Sequence, residues 1–317
     1  MGNTNILILS VSRKTLLTEW IVKAARKMKV GVIGTDLNHD SPALSLVDKT
    51  ISLPGLKDPS YINELLSQIK ANQIKLIIPT RDEELLFFPE HIETLQASGC
   101  LALCNLLNVS KKMIDKSAFT YFCIEELGVS NLRVAGTPQE AKAEDFPLFF
   151  RGAKPGAALK IQINNQAELN AAFLLCPDGI ASTYLEGKEI SIDCYVSREG
   201  KIIYIVPRTR DIVLGGESIV TTTIDSSICI EVAKKLILKS GIKGHAVLQG
   251  KLHKNNFVPF EINLRFGGAS ILSFKAACSA PELVLKEYVI GEQLTEPCRY
   301  EKELRLIKDF KEEYIPQ

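Results

Sequence analysis

The sequence predicts an α/β protein in two parts, and three patterns carry that prediction. Short apolar strands alternate with amphipathic helices over residues 1–109. Strands dominate after about residue 145. A polar–apolar alternation from Phe257 to Ala269 then marks a hairpin with chemistry on one face. Repeated strand–helix alternation implies a parallel sheet covered on both faces. The later strands imply an antiparallel α+β domain.

The first part reads in order. Asn5–Val11 is a short apolar strand, and Ser12–Met28 a helix with Leu17, Ile21, Ala24 and Met28 at helical spacing. Val30–Thr35 and Lys49–Leu53 are further strands, the latter stopped by Pro54-Gly55. Asp58–Ala71 reads as a helix with Asp58 as N-cap and Pro59 in its first turn. Ile74–Pro79 is a nearly unbroken apolar run, as a buried parallel strand requires. Asp82–Ser98 is a helix that Pro89 kinks or splits, and Leu101–Asn105 closes the set.

In the second part, Ser110–Leu127 is a helix capped by Ser110 and ended by Gly128. Phe146–Arg151, Leu159–Ile163, Ala181–Leu185, Glu189–Ser197, Lys201–Thr209 and Glu217–Ile224 read as strands. Asn165–Leu175, Ser226–Ser240 and Ser270–Val289 read as helices. No repeat or low-complexity linker separates the halves, so they are expected to pack rigidly.

Composition excludes several classes. The chain has 317 residues, 46% of them hydrophobic, and a net charge of +1, so no global field draws it to nucleic acid or membrane. No apolar run reaches the roughly 18–20 residues a bilayer span needs. Ile6–Leu9 follows no basic segment and reads as a first strand, not a signal peptide, so a cytoplasmic location is expected. The eight cysteines form no Cys-x-x-Cys, and the four histidines form no His-x-x-x-His. Buried reduced thiols, and no zinc site, are expected. Ser10-Val-Ser-Arg-Lys14 follows the first strand in place of Gly-x-Gly-x-x-Gly, which argues against a dinucleotide. There is also no Walker-type loop and no Gly-x-Ser-x-Gly elbow.

The hairpin is the richest segment. Glu261, Asn263 and Arg265 alternate with Phe260, Ile262 and Leu264, so the polar three share one face of a strand. His245–Lys254 reads as the partner strand, joined through Lys254-Asn-Asn256, and brings Gln249 beside them. Three oxygen donors next to an arginine suit a hard cation held against phosphate. The same spacing also suits an amphipathic hairpin with a solvated polar face.

Glu261-Ile-Asn-Leu-Arg265, preceded by Gln249, resembles the Glu-Met/Ile-Asn-Pro-Arg signature of ATP-grasp enzymes. The carbamoyl phosphate synthetase large-subunit branch and its small stand-alone relatives are the nearest resemblance. Other ordered segments share it: Ile77-Ile-Pro-Thr-Arg-Asp-Glu-Glu-Leu85, Ile114-Asp-Lys116, Phe149-Phe-Arg-Gly152, Tyr184-Leu-Glu-Gly-Lys-Glu-Ile-Ser-Ile-Asp193, Val206-Pro-Arg-Thr-Arg210 and Gly215-Gly-Glu-Ser218. The resemblance implies a Rossmann-like pre-ATP-grasp domain over residues 1–109 and an ATP-grasp domain over 110–317, with a lid at about 145–187.

It also implies roles. Gln249, Glu261 and Asn263 would hold Mg²⁺, or Mn²⁺, against ATP phosphates, and Arg265 would grip the γ-phosphate or an acyl phosphate. Lys116 and Arg151 would contact phosphates, Thr183, Tyr184 and Leu185 would face adenine, and Glu189 would accept from ribose. Arg208, Arg210 and Arg81 are candidates to anchor the substrate carboxylate. The implied reaction joins a small-molecule carboxylate to an amine, with a homodimer as the common assembly among relatives.

The sequence departs from the pattern in places. The Gly152–Lys160 loop holds only Gly152 and Gly156, although Lys154 and Lys160 add charge. Thr183 stands where relatives often carry glutamate, and Leu264 where they carry proline. A phosphotransferase, or a nucleotide-sensing module without turnover, therefore stays open beside the ligase.

Overall fold

The computed structural model describes residues 4–130, 132–152 and 159–309. Five parallel strands open the chain: β1 (Asn5–Ile8), β2 (Gly31–Gly34), β3 (Lys49–Thr50), β4 (Ile74–Ile78) and β5 (Leu101–Ala102). Their order is β3-β2-β1-β4-β5. Ile6 and Ile8 of β1 enter one apolar cluster while Leu7 and Leu9 enter another. Side chains alternate across a strand, so both faces are covered, as the apolar runs predict. Helix α1 (Thr15–Lys27) covers one face and α2 (Tyr61–Ala71) the other.

Two helix starts differ from expectation. Ser10 and Ser12 have φ of 46° and 47°, and the Ser12 amide donates to Asp36 Oδ2 at 2.8 Å. Left-handed backbone cannot begin an α-helix, so α1 starts at Thr15. Asp58 accepts from the Ser60 amide at 2.8 Å, closing a turn ahead of α2 in place of capping it. Pro89 does split its segment, giving α3 (Asp82–Phe87), a 3-10 turn Phe88–His91, and α4 (Ile92–Ala97).

The expected helix over 110–127 is two: α5 (Leu107–Ile114) and α6 (Lys116–Glu125). Asp115 breaks the run by accepting from the Ala118 amide at 2.8 Å as the N-cap of α6, while Ser110 lies buried inside α5. A four-stranded sheet follows, with β6 (Val134–Ala135), β7 (Leu148–Gly152), β8 (Lys160–Ile163) and β9 (Gly179–Thr183) in the order β6-β9-β7-β8. Helix α7 (Gln166–Leu175) packs on it through Leu169, Ala172 and Phe173.

A second antiparallel sheet is the centre of the molecule. It contains β10 (Lys188–Val196) and β11 (Ile202–Thr209), joined by the expected turn at Gly200, whose φ is +88°. An unforeseen hairpin, β12 (Ile212–Leu214) and β13 (Glu217–Thr222), leaves from its end. After α8 (Ser227–Ser240), β14 (Gly244–His253) and β15 (Asn256–Asn263) complete the order β11-β10-β14-β15.

The expected helix 270–289 breaks into α9 (Ile271–Ala276), α10 (Ala280–Leu285) and a π-helical turn, Lys286–Ile290. Pro281 sits in the first turn of α10, where its missing N–H does no harm, and Ser279 caps it. Cys278, in the break, is disulfide-bonded to Cys298, which corrects the expectation of uniformly reduced thiols. β16 (Arg305–Ile307) pairs with β13. Phe274, Leu283 and Val284 share one cluster with Ile6 and Ile21, so the two halves bury a common core, as expected from the absence of a linker. Among the described residues, no helix is long and apolar enough to cross a membrane.

The register of β14 and β15 sets the site. Gln249 opposes Glu261, but Gly250 opposes Pro259, so Phe260 is an extra, bulged residue. Proline lacks the N–H a ladder needs, and an edge-strand bulge accommodates it. A Cβ on Gly250 would lie 2.4 Å from the Phe257 ring and 2.6 Å from the Val258 carbonyl oxygen. Gly250→Ala is expected to cost about 1–3 kcal/mol in urea unfolding. An unchanged midpoint would show that this packing does not hold the register.

Candidate active site

One face of the central sheet is apolar and one is polar. Ile190, Ile192, Cys194, Ala246, Leu248 and Ile262 enter a core cluster on one side. On the other, register places Arg208, Ser191, Gln249 and Glu261 in a row across four strands. The next row holds Asp193, Val247 and Asn263. The previous row pairs Glu189 with Lys251. The hairpin face read from alternation is therefore real, with one correction. Phe260, expected on the apolar side, sits in the bulge, and its ring lies under Arg151 at 5.9 Å.

Cations from two other elements close on Glu261. Arg151, at the end of β7, is 5% exposed, with Nη1 3.8 Å from Glu261 Oε2, and its Nη2 donates to the Phe260 carbonyl at 2.9 Å. Lys116, the first residue of α6, is 9% exposed and donates from Nζ to the Gly152 carbonyl at 2.9 Å. Desolvation lowers the pKa of both, and Glu261 opposes it. Residues 153–158, with Lys154 and Gly156 of the expected phosphate loop, lie outside the described residues.

Arg265 lies just past β15. Its Nε donates to Asp82 Oδ1 at 2.8 Å and its Nη2 to Asn263 Oδ1 at 3.2 Å. Asn263 in turn donates to Glu261 Oε1 at 3.4 Å. The contacts run Arg151–Glu261–Asn263–Arg265–Asp82, from the β6–β9 sheet across the central sheet to the start of α3.

Other expected site residues fall elsewhere. Glu189 is flanked by two cations, Arg210 Nε at 2.7 Å and Lys251 Nζ at 3.6 Å. The Arg210 Nε–H is not aimed at that oxygen, so the contact is a charge pair and not a hydrogen bond. The amides of Thr183 and Tyr184 donate to the Arg133 and Pro147 carbonyls, which leaves neither free for adenine. Leu185 packs against the central core from the link to β10. The Arg81 side chain is 53% exposed and pairs with Glu83 at 3.1 Å.

Arg208 is a correction. It is 2% exposed, donates from Nε to Asp193 Oδ2 at 2.5 Å, and forms a buried ion pair in place of the expected substrate contact. Burial alone would raise the Asp193 pKa, but the Arg208 guanidinium and His245 hold it well below the usual carboxylate range. Ser270 Oγ donates to Asp193 Oδ1 at 2.5 Å, and its single proton is then spent. His245 Nε2 therefore donates to Ser270 Oγ at 3.1 Å, and Nδ1 lies 3.2 Å from the Tyr204 hydroxyl.

Alternation alone did not single out Asp82, Ser191 or Asp193. Asp82 and the latter pair lie inside segments with a motif signal, Ile77–Leu85 and Tyr184–Asp193, but only pairing across the sheet gives them partners. Ser191 Oγ is buried with no hydrogen-bond partner among the described residues, between Arg208 and Gln249.

Gln249, Glu261 and Asn263 fit a magnesium ion. They offer one carboxylate and two amide oxygens, and a site of this kind is completed by phosphate oxygens and water. Among the described residues no group of three His, Cys, Asp or Glu could hold a metal, which disfavours a metal caged wholly by such side chains.

Comparison with known proteins agrees with this geometry. Residues 6–103 match the family described as PylC-like, N-terminal domain. Residues 176–309 match the family described as ATP-grasp in the biosynthetic pathway with Ter operon. Biotin carboxylase from Campylobacter jejuni, solved as a β,γ-ATP complex, is similar with a TM-score of 0.75 at 13% identity, over 95% of this chain and 74% of that one. The biotin carboxylase domain dimer of Hydrogenobacter thermophilus 2-oxoglutarate carboxylase, solved with MgADP and bicarbonate, gives 0.71 at 13% identity, over 95% and 73%. L-amino acid ligase from Bacillus licheniformis gives 0.67 at 15% identity, over 91% and 74%. No curated protein matches the chain in sequence. The chain has the ATP-grasp fold, with a segment matching a PylC-like N-terminal domain ahead of one matching the Ter-associated ATP-grasp family.

Removing one partner of a buried charge pair strands the other. Asp193→Asn is expected to destabilise the protein by about 3–5 kcal/mol in urea unfolding. The Asp193 pKa is depressed on folding from an ordinary 3.8, so the stabilisation is complete above that value and is lost as pH falls through the folded-state value. The gap between wild type and variant should therefore be flat from mildly acidic to neutral pH. A gap that opens only at neutral pH would contradict this assignment.

Proposed function

We propose that this protein is an ATP- and Mg²⁺-dependent carboxylate–amine ligase. A carboxylate would take the γ-phosphoryl group of ATP to become an acyl phosphate. The amine would then attack the acyl carbon and expel phosphate, giving an amide or peptide bond with ADP and phosphate as co-products. In this reading residues 1–109 are the N-terminal domain, residues 110–317 the ATP-grasp domain and about 145–187 its lid. A small-molecule acid and amine are the substrates.

The observation that carries the proposal is the arrangement of Gln249, Glu261, Asn263 and Arg265 beside two desolvated cations, Lys116 and Arg151. Bound magnesium would neutralise charge on the phosphates between the donor side chains. Glu261 contributes the one anionic oxygen donor and keeps Arg151 charged in a buried setting. Asn263 links that carboxylate to Arg265, whose planar fork matches a phosphate. Lys116 stands against the Gly152 carbonyl and Arg151 against Glu261, where phosphates would bind. Arg210, between Glu189 and the Gly216 carbonyl, is the remaining arginine placed to meet a substrate carboxylate. No side chain need act as a covalent nucleophile, since positioning and electrostatics supply most of the rate in phosphoryl transfer.

ADP release with Mg-ATP, measured against amino acids and small carboxylates singly and in pairs, tests the reading. Release that requires a pair is expected, and ATP binding without release for any pair would favour a nucleotide-sensing module. Glu261→Gln should abolish release while leaving the thermal midpoint within a few degrees. Normal turnover in that variant would remove Glu261 from the metal site. Lys116→Met should weaken Mg-ATP binding by about ten- to a hundredfold, as loss of one charge-assisted contact of about 1.5–3 kcal/mol implies, and unchanged titration isotherms would place the lysine outside the phosphate site.

A further inference from the structure

We propose that Asp82, in the N-terminal domain, is the positioning residue that aims Arg265 at the phosphoryl group. The inference rests on the ATP-dependent reading above and goes beyond it. The N-terminal domain then completes the phosphate site from outside the ATP-grasp domain.

The geometry points to Asp82 in three ways. First, its carboxylate takes one edge of the guanidinium: Oδ1 accepts from Nε at 2.8 Å, and Oδ2 lies 3.5 Å from Nη2. Asn263 Oδ1 takes Nη2 from the other side at 3.2 Å. Among the described residues Nη1 has no hydrogen-bond partner, so its two N–H groups are left for a ligand. Second, Arg265 follows β15 and carries a long side chain with much rotamer freedom to lose. A fixed carboxylate on one edge removes that freedom before phosphate arrives, which is pre-organisation.

Third, Asp82 is itself rigidly carried. It is the first residue of α3, directly after the turn that leaves β4. Glu84 Oε2 accepts from the Thr80 and Arg81 amides at 2.7 and 3.0 Å, and Glu84 Oε1 accepts from Ser10 Oγ at 2.6 Å. Thr80 Oγ1 lies 2.8 Å from the Leu9 carbonyl and 2.9 Å from that of Ser10. These bonds tie the end of β4 to the end of β1, where the sheet order reverses. Open α/β sheets place ligands outside such a switch point. The Asp82 side chain is 12% exposed and faces the guanidinium, so it acts through Arg265.

The test compares binding of MgADP with that of its γ-phosphate-bearing, non-hydrolysable β,γ-imido analogue of ATP, by isothermal titration of the full chain. Wild type should prefer the imido analogue. Asp82→Asn should lose about tenfold of that preference, with MgADP affinity unchanged, because a misaimed fork costs roughly one to two decades. Arg265→Met should lose as much or more, and Asp82→Asn in that background should lose nothing further. Asp82→Glu keeps the charge but moves it by a methylene, so it should also lose preference while its thermal midpoint stays near wild type. It supplies the readout if Asp82→Asn does not fold. Full rescue by glutamate, unchanged preference in Asp82→Asn, or additive losses in the double variant would overturn the positioning role and leave the ATP-dependent reading intact. A wild type that binds neither nucleotide would overturn both.

Discussion

The pairing of β14 with β15 is the constraint on which the rest depends. One extra residue at Phe260 lets Gln249 oppose Glu261 while Pro259 opposes Gly250. A shift of one residue would turn Glu261 and Asn263 into the core and bring Ile262 out. The buried face of the same sheet resists that shift, because Ile190, Leu248 and Ile262 are already packed there. Apolar packing on one side thus holds the polar chemistry on the other.

The polar face is assembled from distant parts of the chain. Arg151 comes from β7, Lys116 from the start of α6, and Asp82 from the start of α3. Each meets the β15 residues by an ion pair, a hydrogen bond or through-space charge, and the result is nearly balanced in sign. Such balance matters because desolvated charge without a partner is costly. Desolvation accordingly lowers the Lys116 and Arg151 pKa values, and Glu261 limits the effect. Deeper in the sheet, Asp193 and Arg208 follow the same rule, with Ser270 and His245 completing the hydrogen bonds.

Much of this was legible before folding. The apolar runs of β1 and β4 mark a parallel sheet covered on both sides, and the structure has one. The alternation in Glu261, Asn263 and Arg265 places them on one face, and Gln249 joins them across the hairpin. Helix ends were less legible, because local hydrogen bonds compete with helix continuation. Ser12 and Asp58 satisfy neighbouring amides in turns, and Asp115 caps a new helix inside what reads as one. The long final helix fails for a related reason, since Ser279 and Pro281 restart it at α10.

The sequence by itself determined the architecture and the shared polar face of Glu261 and Asn263, because periodicity and turn chemistry are local properties of the chain. Only the tertiary structure decided how each arginine is partnered. Arg208 and Arg210 alternate on one strand and look alike in sequence, yet one is sealed against Asp193 and the other stands between Glu189 and Gly216. Asp82 and Arg265 are 183 residues apart and meet only when the two halves bury their common core. Burial and long-range pairing depend on packing between elements, and no local pattern encodes them.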